Sequence, residues 1–157
     1  PGSAGSSGVT EGNKSLITFQ EGLFRAEEVL IAGGSGDSAA IPVFFARATQ
    51  VDAGGEAERW TYGMQHGNES IFVVVQSDSL ILHPYPPDFG GPEIELSPVI
   101  DPALLIEKNR QLLMDAGAEN PLTVSELELS GGVYTLNVST ATGNAVMLFD
   151  AATGDPV

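Results

Sequence analysis

The sequence predicts an α+β protein built from two helix-plus-meander units, in which helices pack on antiparallel β-meanders. The second half carries one amphipathic helix pattern followed by three strand patterns, and the first half can be interpreted in the same order. The chain has 157 residues, of which 42% are hydrophobic, enough for two small units that share a core. We therefore divide it into a tether (1–15), a first unit (16–83), a connector (84–98) and a second unit (99–157).

The charge balance narrows the classes of partner. The chain holds 21 acidic and six basic residues, giving a formal net charge of -15, and it contains no cysteine. An acidic field repels phosphate backbones and anionic lipid headgroups, so nucleic-acid binding and electrostatic membrane docking are disfavoured. Without cysteine the chain has no disulfide, thiolate zinc site or cysteine nucleophile. No apolar run approaches the roughly 20 residues of a transmembrane helix, so no transmembrane segment is expected.

Residues 1–15 are rich in glycine and serine and almost free of apolar side chains, which is typical of a flexible tether. Two interpretations remain open. The segment is either the remnant of a removed tag, or the spacer behind the lipid anchor of an exported lipoprotein.

The first unit begins with a short strand at 15–19 and a helix at 20–34, in which Leu23, Ala26 and Leu30 recur at helical spacing. The glycines at 33–34 are expected to stop the helix, although residues 29–31 would also suit a strand. Three strand segments follow, at 41–51, 59–67 and 70–83, the last with a break at 77–79.

The connector differs in composition from both units. Residues 84–98 hold five of the ten prolines of the chain. Proline lacks the backbone N–H that a helix or central strand requires, so we expect an extended joint between the units.

In the second unit, Asp101 is a good N-cap, Pro102 suits the first helical position, and an apolar pattern continues until Gly117 stops the helix. Strand patterns follow at 122–130, 132–140 and 144–150. The middle one alternates apolar and polar residues, which predicts a half-buried antiparallel strand. Glycines between these segments indicate short hairpins, and hence a three-stranded meander.

The segments "GVYTLNVST", with Tyr134, and "VMLFDAATGDPV", with Asp150, Thr153 and Gly154, resemble the PepSY domain. The first half resembles the domain more loosely, through "RWTYGMQHGNESIFVVV", and lacks the closing Asp-x-x-x-Gly motif. We interpret it as a diverged second copy. The resemblance implies a module of exported or membrane-associated bacterial proteins, found also in propeptides that restrain secreted metalloproteases. Such modules regulate or bind, so no catalytic residue is carried over.

The motif also has a physical explanation. We predict that Asp150 accepts hydrogen bonds from the backbone N–H groups of a turn, and that Gly154 supplies a positive φ angle there. Asp150, Thr153 and Gly154 are therefore interpreted as a structural turn rather than a calcium loop, since the ligand spacing of an EF-hand is absent.

The motifs of catalysis and metal binding are missing. His66 and His83, the only histidines, lie on different predicted elements, without the spacing of a metal site. The glycine-rich segment 33–39 leads into a strand and has no lysine of a phosphate loop. We predict no catalytic, cofactor-binding or metal-binding residue.

Four aromatic residues are candidates for contact with a partner: Trp60, Tyr62, Tyr85 and Phe89. Trp60 and Tyr62 share one face of a strand, and packing on the helix is the alternative explanation for both. Tyr85 and Phe89 lie on the proline-stiffened connector, which would present aromatic anchors at a low cost in entropy.

The resemblance thus implies a non-enzymatic, exported bacterial protein, periplasmic or extracellular, that binds another envelope protein or is a subunit of an envelope assembly. An inhibitor-like role toward an exported protease is one form that this binding function could take. A lipid anchor outside this chain is compatible with the same function. The alternative function is binding of a small ligand or a divalent cation. Candidate contact surfaces are the sheet edges, the free sheet face and the connector.

Overall fold

The computed structural model describes residues 15–33 and 41–157. Its three helices are α1 (Phe19–Gly33), α2 (Pro102–Lys108) and α3 (Arg110–Asp115). Its strands are β1 (Ile17–Thr18), β2 (Val43–Asp52), β3 (Glu56–Ala57), β4 (Arg59–His66), β5 (Glu69–Gln76), β6 (Ser79–Tyr85), β7 (Thr123–Ser130), β8 (Val133–Thr140) and β9 (Gly143–Asp150).

Seven strands form one antiparallel sheet in the order β9-β8-β7-β2-β4-β5-β6, and β1 pairs with β3 separately. In each half of the chain the helical segment precedes the long strands. The first long strands of the halves, β2 and β7, pair at the centre of the sheet. The predicted α+β class with antiparallel meanders is therefore confirmed, and the two halves share one sheet.

Helix α1 begins where the Thr18 hydroxyl accepts the Glu21 N–H at 3.1 Å. Its predicted inward residues, Leu23, Ala26 and Leu30, are buried in the core, and the helix contacts β4 and β5. At Gly22 a Cβ atom would overlap the Tyr62 hydroxyl, so glycine allows the helix to lie close to the sheet. The spacing of apolar residues thus places α1 on one face of the sheet, called here the inner face.

The segment at 70–83 differs from its prediction, because it forms the two strands β5 and β6. The break at 77–79 is a hairpin turn: Gln76 pairs with Ser79 across it. Strand β6 is an edge strand and contains Pro84, whose missing N–H is tolerated at an edge.

The helix predicted to end at Gly117 begins as expected, with the Asp101 carboxylate accepting the Ala103 N–H at 3.1 Å and Pro102 in the first turn. It is not continuous, however. Asn109, with φ -108° and ψ 15°, separates α2 from α3. Its side-chain amide donates to the carbonyls of Leu105 and Gly154, so the break is fixed by a buried polar group.

Alternation of apolar and polar residues along the strands predicts a polar outer face of the sheet, opposite the helices. That prediction holds for the side chains of β7 and β8, among them Glu126, Glu128 and Thr135. It is wrong for β9, whose outer face carries the exposed side chains of Val146 and Leu148, and for the first half, where Phe45 and Phe72 lie half-buried on the outer face. The Phe89 ring of the connector packs against Phe72 at 5.2 Å and covers part of this face.

Candidate functional site

An aromatic cluster lies on the outer face over β2, β4 and β5. Its central rings are Phe45, Phe72, Tyr85 and Phe89, and Phe44 stacks on Phe89 at 5.8 Å. The ring of Phe72 lies 6.0 Å from that of Phe45, 4.9 Å from Tyr85 and 5.2 Å from Phe89. Tyr85 and Phe89 stack at 5.2 Å. Three rings from the sheet strands β2, β5 and β6 and the Phe89 ring of the connector thus form one partly exposed apolar surface.

Phe89 reaches the sheet because β4 carries glycine beneath it. A Cβ atom at position 63 would lie 3.0 Å from the Phe89 ring. Five residues later the Ile94 N–H donates to the Val43 carbonyl at 2.7 Å, and the Ile94 side chain is buried in the core. The connector therefore passes from the outer face to the core around the start of β2, and it is attached at Phe89 and at Ile94.

Two adjoining hollows lie beside the cluster. The apolar hollow, of about 330 Å³, is lined by Phe45, Arg47, Thr61, Phe72, Val74 and His83. The arginine hollow, of about 180 Å³, is lined by Arg47, Ala48, Thr49, Arg59 and Thr61. Arg47 and Thr61 line both hollows, so one occupant could extend from one into the other.

The two arginines have donor groups to spare. Arg47 pairs with Glu126 through its Nε atom at 2.8 Å, and its two terminal nitrogens have no partner in the described ranges. Arg59 is exposed and forms no ion pair with another described residue. By contrast, Arg25 donates to backbone carbonyls at Gln76, Ser77 and Ser79, and Lys108 pairs with Asp155. Arg110 likewise uses one nitrogen, for Glu107 at 3.2 Å. Arg47 and Arg59 thus bring two guanidinium groups with unused donors to the arginine hollow.

The four aromatic contact candidates separate into two pairs. Trp60 and Tyr62 have no exposed surface, and their polar atoms donate to the carbonyls of Ile17 at 2.9 Å and Phe19 at 2.7 Å. The interpretation of these two as partner contacts is corrected, because α1 and the N-terminal strand cover them. Tyr85 and Phe89 are half-buried in the aromatic cluster and retain exposed surface.

Sequence reasoning missed Phe45, Phe72, Arg47 and Arg59. The pattern of β2 contained a signal for two of them. In "VFFARATQ" the small residues Ala46 and Ala48 alternate with Phe45 and Arg47. Small residues facing a covering helix and large ones on the opposite face would have indicated an occupied outer surface.

Burial raises the pKa of Tyr62 and Tyr134, because an ionised phenolate cannot be solvated in the core. The Tyr134 hydroxyl donates to the Ile100 carbonyl at 2.7 Å. This bond attaches the segment that follows the connector to β8. Both tyrosines therefore serve the packing of the core.

The closing turn, residues 150–155, follows β9. The Asp150 carboxylate accepts the N–H groups of Ala152 at 2.8 Å and Thr153 at 3.0 Å, and these backbone bonds lower its pKa. The Thr153 hydroxyl accepts the Asp155 N–H at 3.1 Å, and Gly154 has a φ of +79°. Asp150, Thr153 and Gly154 thus all take part in the hydrogen bonds that close the turn.

Helix α2 holds the closing turn in place. The Lys108 ammonium donates to the Thr153 carbonyl at 2.5 Å and pairs with Asp155 at 3.0 Å. The Asn109 amide donates to the Gly154 carbonyl at 2.8 Å. The turn is therefore a tertiary contact between the last strand and the second helical segment.

The two sheet edges differ. Along β9, the Val157 N–H donates to the Leu148 carbonyl at 3.0 Å and the Asp150 N–H to the Asp155 carbonyl at 2.8 Å. The C-terminal residues therefore cover part of that edge. At β6, no described strand pairs with the outer side, and Ile81 and Leu82 are 47% and 43% exposed.

His66 ends β4, whereas His83 lies on β6 and lines the apolar hollow. Within residues 15–33 and 41–157, no three His, Cys, Asp or Glu side chains converge as a metal site would require. None of the described helices is long and apolar enough to cross a membrane.

The fold and the site define an α+β antiparallel domain with a partly exposed aromatic face. The chain matches no protein-family model, and no curated protein or solved structure is significantly similar to it.

Proposed function

We propose that this chain is a non-enzymatic, exported bacterial binding module that docks another envelope protein on the aromatic cluster of its outer face. The observation that carries the proposal is the arrangement of Phe45, Phe72, Tyr85 and Phe89, whose rings contact one another on the sheet face that the helices leave uncovered. Aromatic side chains dominate the energetics of protein interfaces because each buries a large apolar area.

The attachment of the connector strengthens this proposal. Binding is weakened when loops must become ordered, and a segment that is already ordered avoids that cost. Phe89 packs over Gly63 and Ile94 is bonded to Val43, so the connector is fixed at the cluster and again five residues beyond it. A partner could therefore bind this surface without first ordering the connector.

The PepSY-like tandem repeat belongs to the same proposal. The order of helix and meander recurs in both halves, and the two first strands pair at the centre of the sheet. Such an arrangement is what a duplicated unit would produce. A periplasmic or extracellular location, with or without a lipid anchor, follows from this resemblance, and an inhibitor-like action is its most specific version.

Binding of a small ligand is the second candidate function, and the apolar hollow of about 330 Å³ supports it. A divalent cation has less support, because the described residues form no convergent cluster of metal ligands.

The test is capture of partners from an envelope extract by immobilised protein, followed by mass spectrometry. We expect Phe72→Ala and Tyr85→Ala to reduce capture of a specific partner by more than about tenfold, since each removes a large apolar contact. Phe24→Ala is the matched control, because Phe24 is 61% exposed on α1, away from the outer face. Equal capture by all three variants would refute the proposal, and a thermal shift with small ligands but no captured protein would favour the second candidate.

A further inference from the structure

The adjoining hollows differ in chemistry. The apolar hollow has walls of Phe45, Phe72 and Val74, whereas the other is lined by Arg47, Arg59 and Thr49. A purely apolar occupant would leave the guanidinium groups without new partners. A purely anionic one would leave the aromatic walls uncovered. An occupant with both properties satisfies both hollows.

The spacing along the sheet explains why the hollows are open. Thr61 lies between Arg47 on β2 and Val74 on β5 in the cross-strand register. Its neighbour on the same face of β4 is Gly63, above which Phe89 is seated. Short side chains on β4 thus form a groove flanked by longer ones on β2 and β5, and the connector fills only the Gly63 end.

One end of the groove is occupied by an aromatic side chain of the connector. Phe89 supplies an aromatic ring to the Gly63 end, within 5.2 Å of Phe72. The Thr61 end has the same wall residue, Phe72, and adds the guanidinium of Arg47. A ring or branched apolar side chain suits this end, with a carboxylate directed to the arginines.

We propose that the two hollows bind a segment of the partner polypeptide in which an aromatic or large apolar side chain stands next to Asp or Glu. This inference rests on the proposed function and specifies the partner chemistry. The carboxylate pairs with Arg59 and the free terminal nitrogens of Arg47, while the apolar side chain covers Phe45, Phe72 and Val74. Guanidinium groups suit this role because their planar N–H pairs match a carboxylate in bidentate geometry.

The overall charge of -15 opposes the approach of an acidic partner at long range. The partner should therefore carry its acidic residue only next to the apolar side chain that enters the groove. The carboxylate should act through direct contact with the arginines. This requirement favours a short acidic-aromatic sequence over a broadly acidic surface.

The probe is the peptide acetyl-Gly-Glu-Phe-Glu-Gly-amide, titrated into the full chain and followed by amide chemical shifts in NMR spectra. We expect weak binding, in the millimolar range, with shifts at Thr61, Phe72 and Val74. Replacing both glutamates of the peptide by glutamine should weaken binding about two- to fivefold, as loss of a solvent-exposed ion pair does. Replacing its phenylalanine by alanine should weaken binding by more than about tenfold.

Two protein variants test the assignment. Thr61→Tyr places a ring at the centre of the groove and should abolish binding, whereas Thr135→Tyr makes the same change on the outer face of β8, outside both hollows. Arg59→Gln should reproduce the loss seen with the glutamine peptide, whereas Arg110→Gln, on the exposed surface of α3, should not. If Thr61→Tyr fails to fold, the Arg59 and Arg110 pair still decides the result.

Several outcomes would overturn the inference. These are absence of any shift, equal affinity for the glutamate and glutamine peptides, or equally tight binding of phenylacetate, which would indicate a small-molecule site. If Phe72→Ala loses partner capture while the peptide fails to bind, the proposed function stands and this inference falls. If the peptide binds in the groove while capture is unaffected by Phe72→Ala, the groove is real and the proposed function fails.

Discussion

The side-chain amide of Asn109 donates a hydrogen bond of 2.8 Å to the backbone carbonyl of Gly154, 45 residues further along the chain. The same amide donates to the Leu105 carbonyl at 3.0 Å. One buried polar side chain therefore produces the break between α2 and α3 and holds the turn after β9. This contact links the second helical segment to the end of its meander.

Asn109→Ala should lower the free energy of unfolding by roughly 1–3 kcal/mol, because two carbonyls lose a donor in a buried place. Urea unfolding followed by circular dichroism measures the change. Asn144→Ala, at an exposed asparagine, is the control and should have almost no effect. Similar stabilities for the two variants would show that the Asn109 contact contributes little.

Gly154→Ala should destabilise the chain more than Gly131→Ala. Both glycines have positive φ, +79° and +58°, so each alanine incurs the left-handed conformational cost of about 1–2 kcal/mol. At Gly154 the added Cβ would also lie 2.7 Å from the Ile100 side chain, whereas space is open at Gly131. Thermal unfolding of the two variants gives the difference, and an equal loss would mean that Ile100 moves aside freely.

Tyr62→Phe should reduce stability by roughly 1–2 kcal/mol at neutral pH, since the Phe19 carbonyl loses the hydroxyl that donates to it at 2.7 Å. Tyr85→Phe removes a hydroxyl from a half-buried ring of the aromatic cluster and provides the matched comparison. Urea unfolding of both variants measures the two losses. A larger loss for Tyr85→Phe would contradict the role assigned to Tyr62.

Stability should fall as the pH rises above about 10, the ordinary tyrosine pKa. In the folded chain the pKa of Tyr62 and Tyr134 is raised by burial, so above pH 10 the unfolded state releases protons that the folded state retains. Fewer protons bound to the unfolded state give a negative slope of stability against pH. Denaturant midpoints between pH 8 and pH 11 measure this slope, and Tyr62→Phe should make it shallower; an unchanged slope would contradict the prediction.

The acid limb of the stability curve should depend on Asp150. The N–H groups of Thr153 and Ala152 lower the pKa of its carboxylate, so the stabilisation is present above the ordinary value near 4 and is lost as the pH falls through the folded value. Asp150→Asn keeps a hydrogen-bond acceptor without charge, and should make the free energy of unfolding depend less on pH in the acid range. At neutral pH it should reduce the free energy of unfolding less than Asp150→Ala does. Asp78→Asn, in the exposed turn after β5, is the control.

Local patterns predicted most of the elements. The alternation of Tyr134, Leu136 and Val138 identified a strand with one buried face, and all three are fully buried. The N-cap role of Asp101 depends on the first turn of the helix alone, so the sequence was sufficient. Such features are set by neighbours along the chain.

Features set by distant contacts could not be predicted in this way. The helix break depends on the Gly154 carbonyl, which folding alone brings to Asn109. The outer-face cluster depends on Phe89 and on the space above Gly63, two positions that no periodicity relates. Trp60 and Tyr62 are residue types that are common in protein interfaces. They belong to the core because α1 lies over them, which the local sequence does not show.

The path of the connector constrains how chains of this type can vary in length. Phe89 must reach Gly63 on the outer face of the sheet, and Ile94 must reach the Val43 carbonyl where the connector enters the core. An insertion or deletion between them would displace one anchor or the other. Length variation should therefore be found at the β5–β6 and β7–β8 hairpins of homologous chains, while the five-residue interval between an aromatic and an aliphatic residue stays constant.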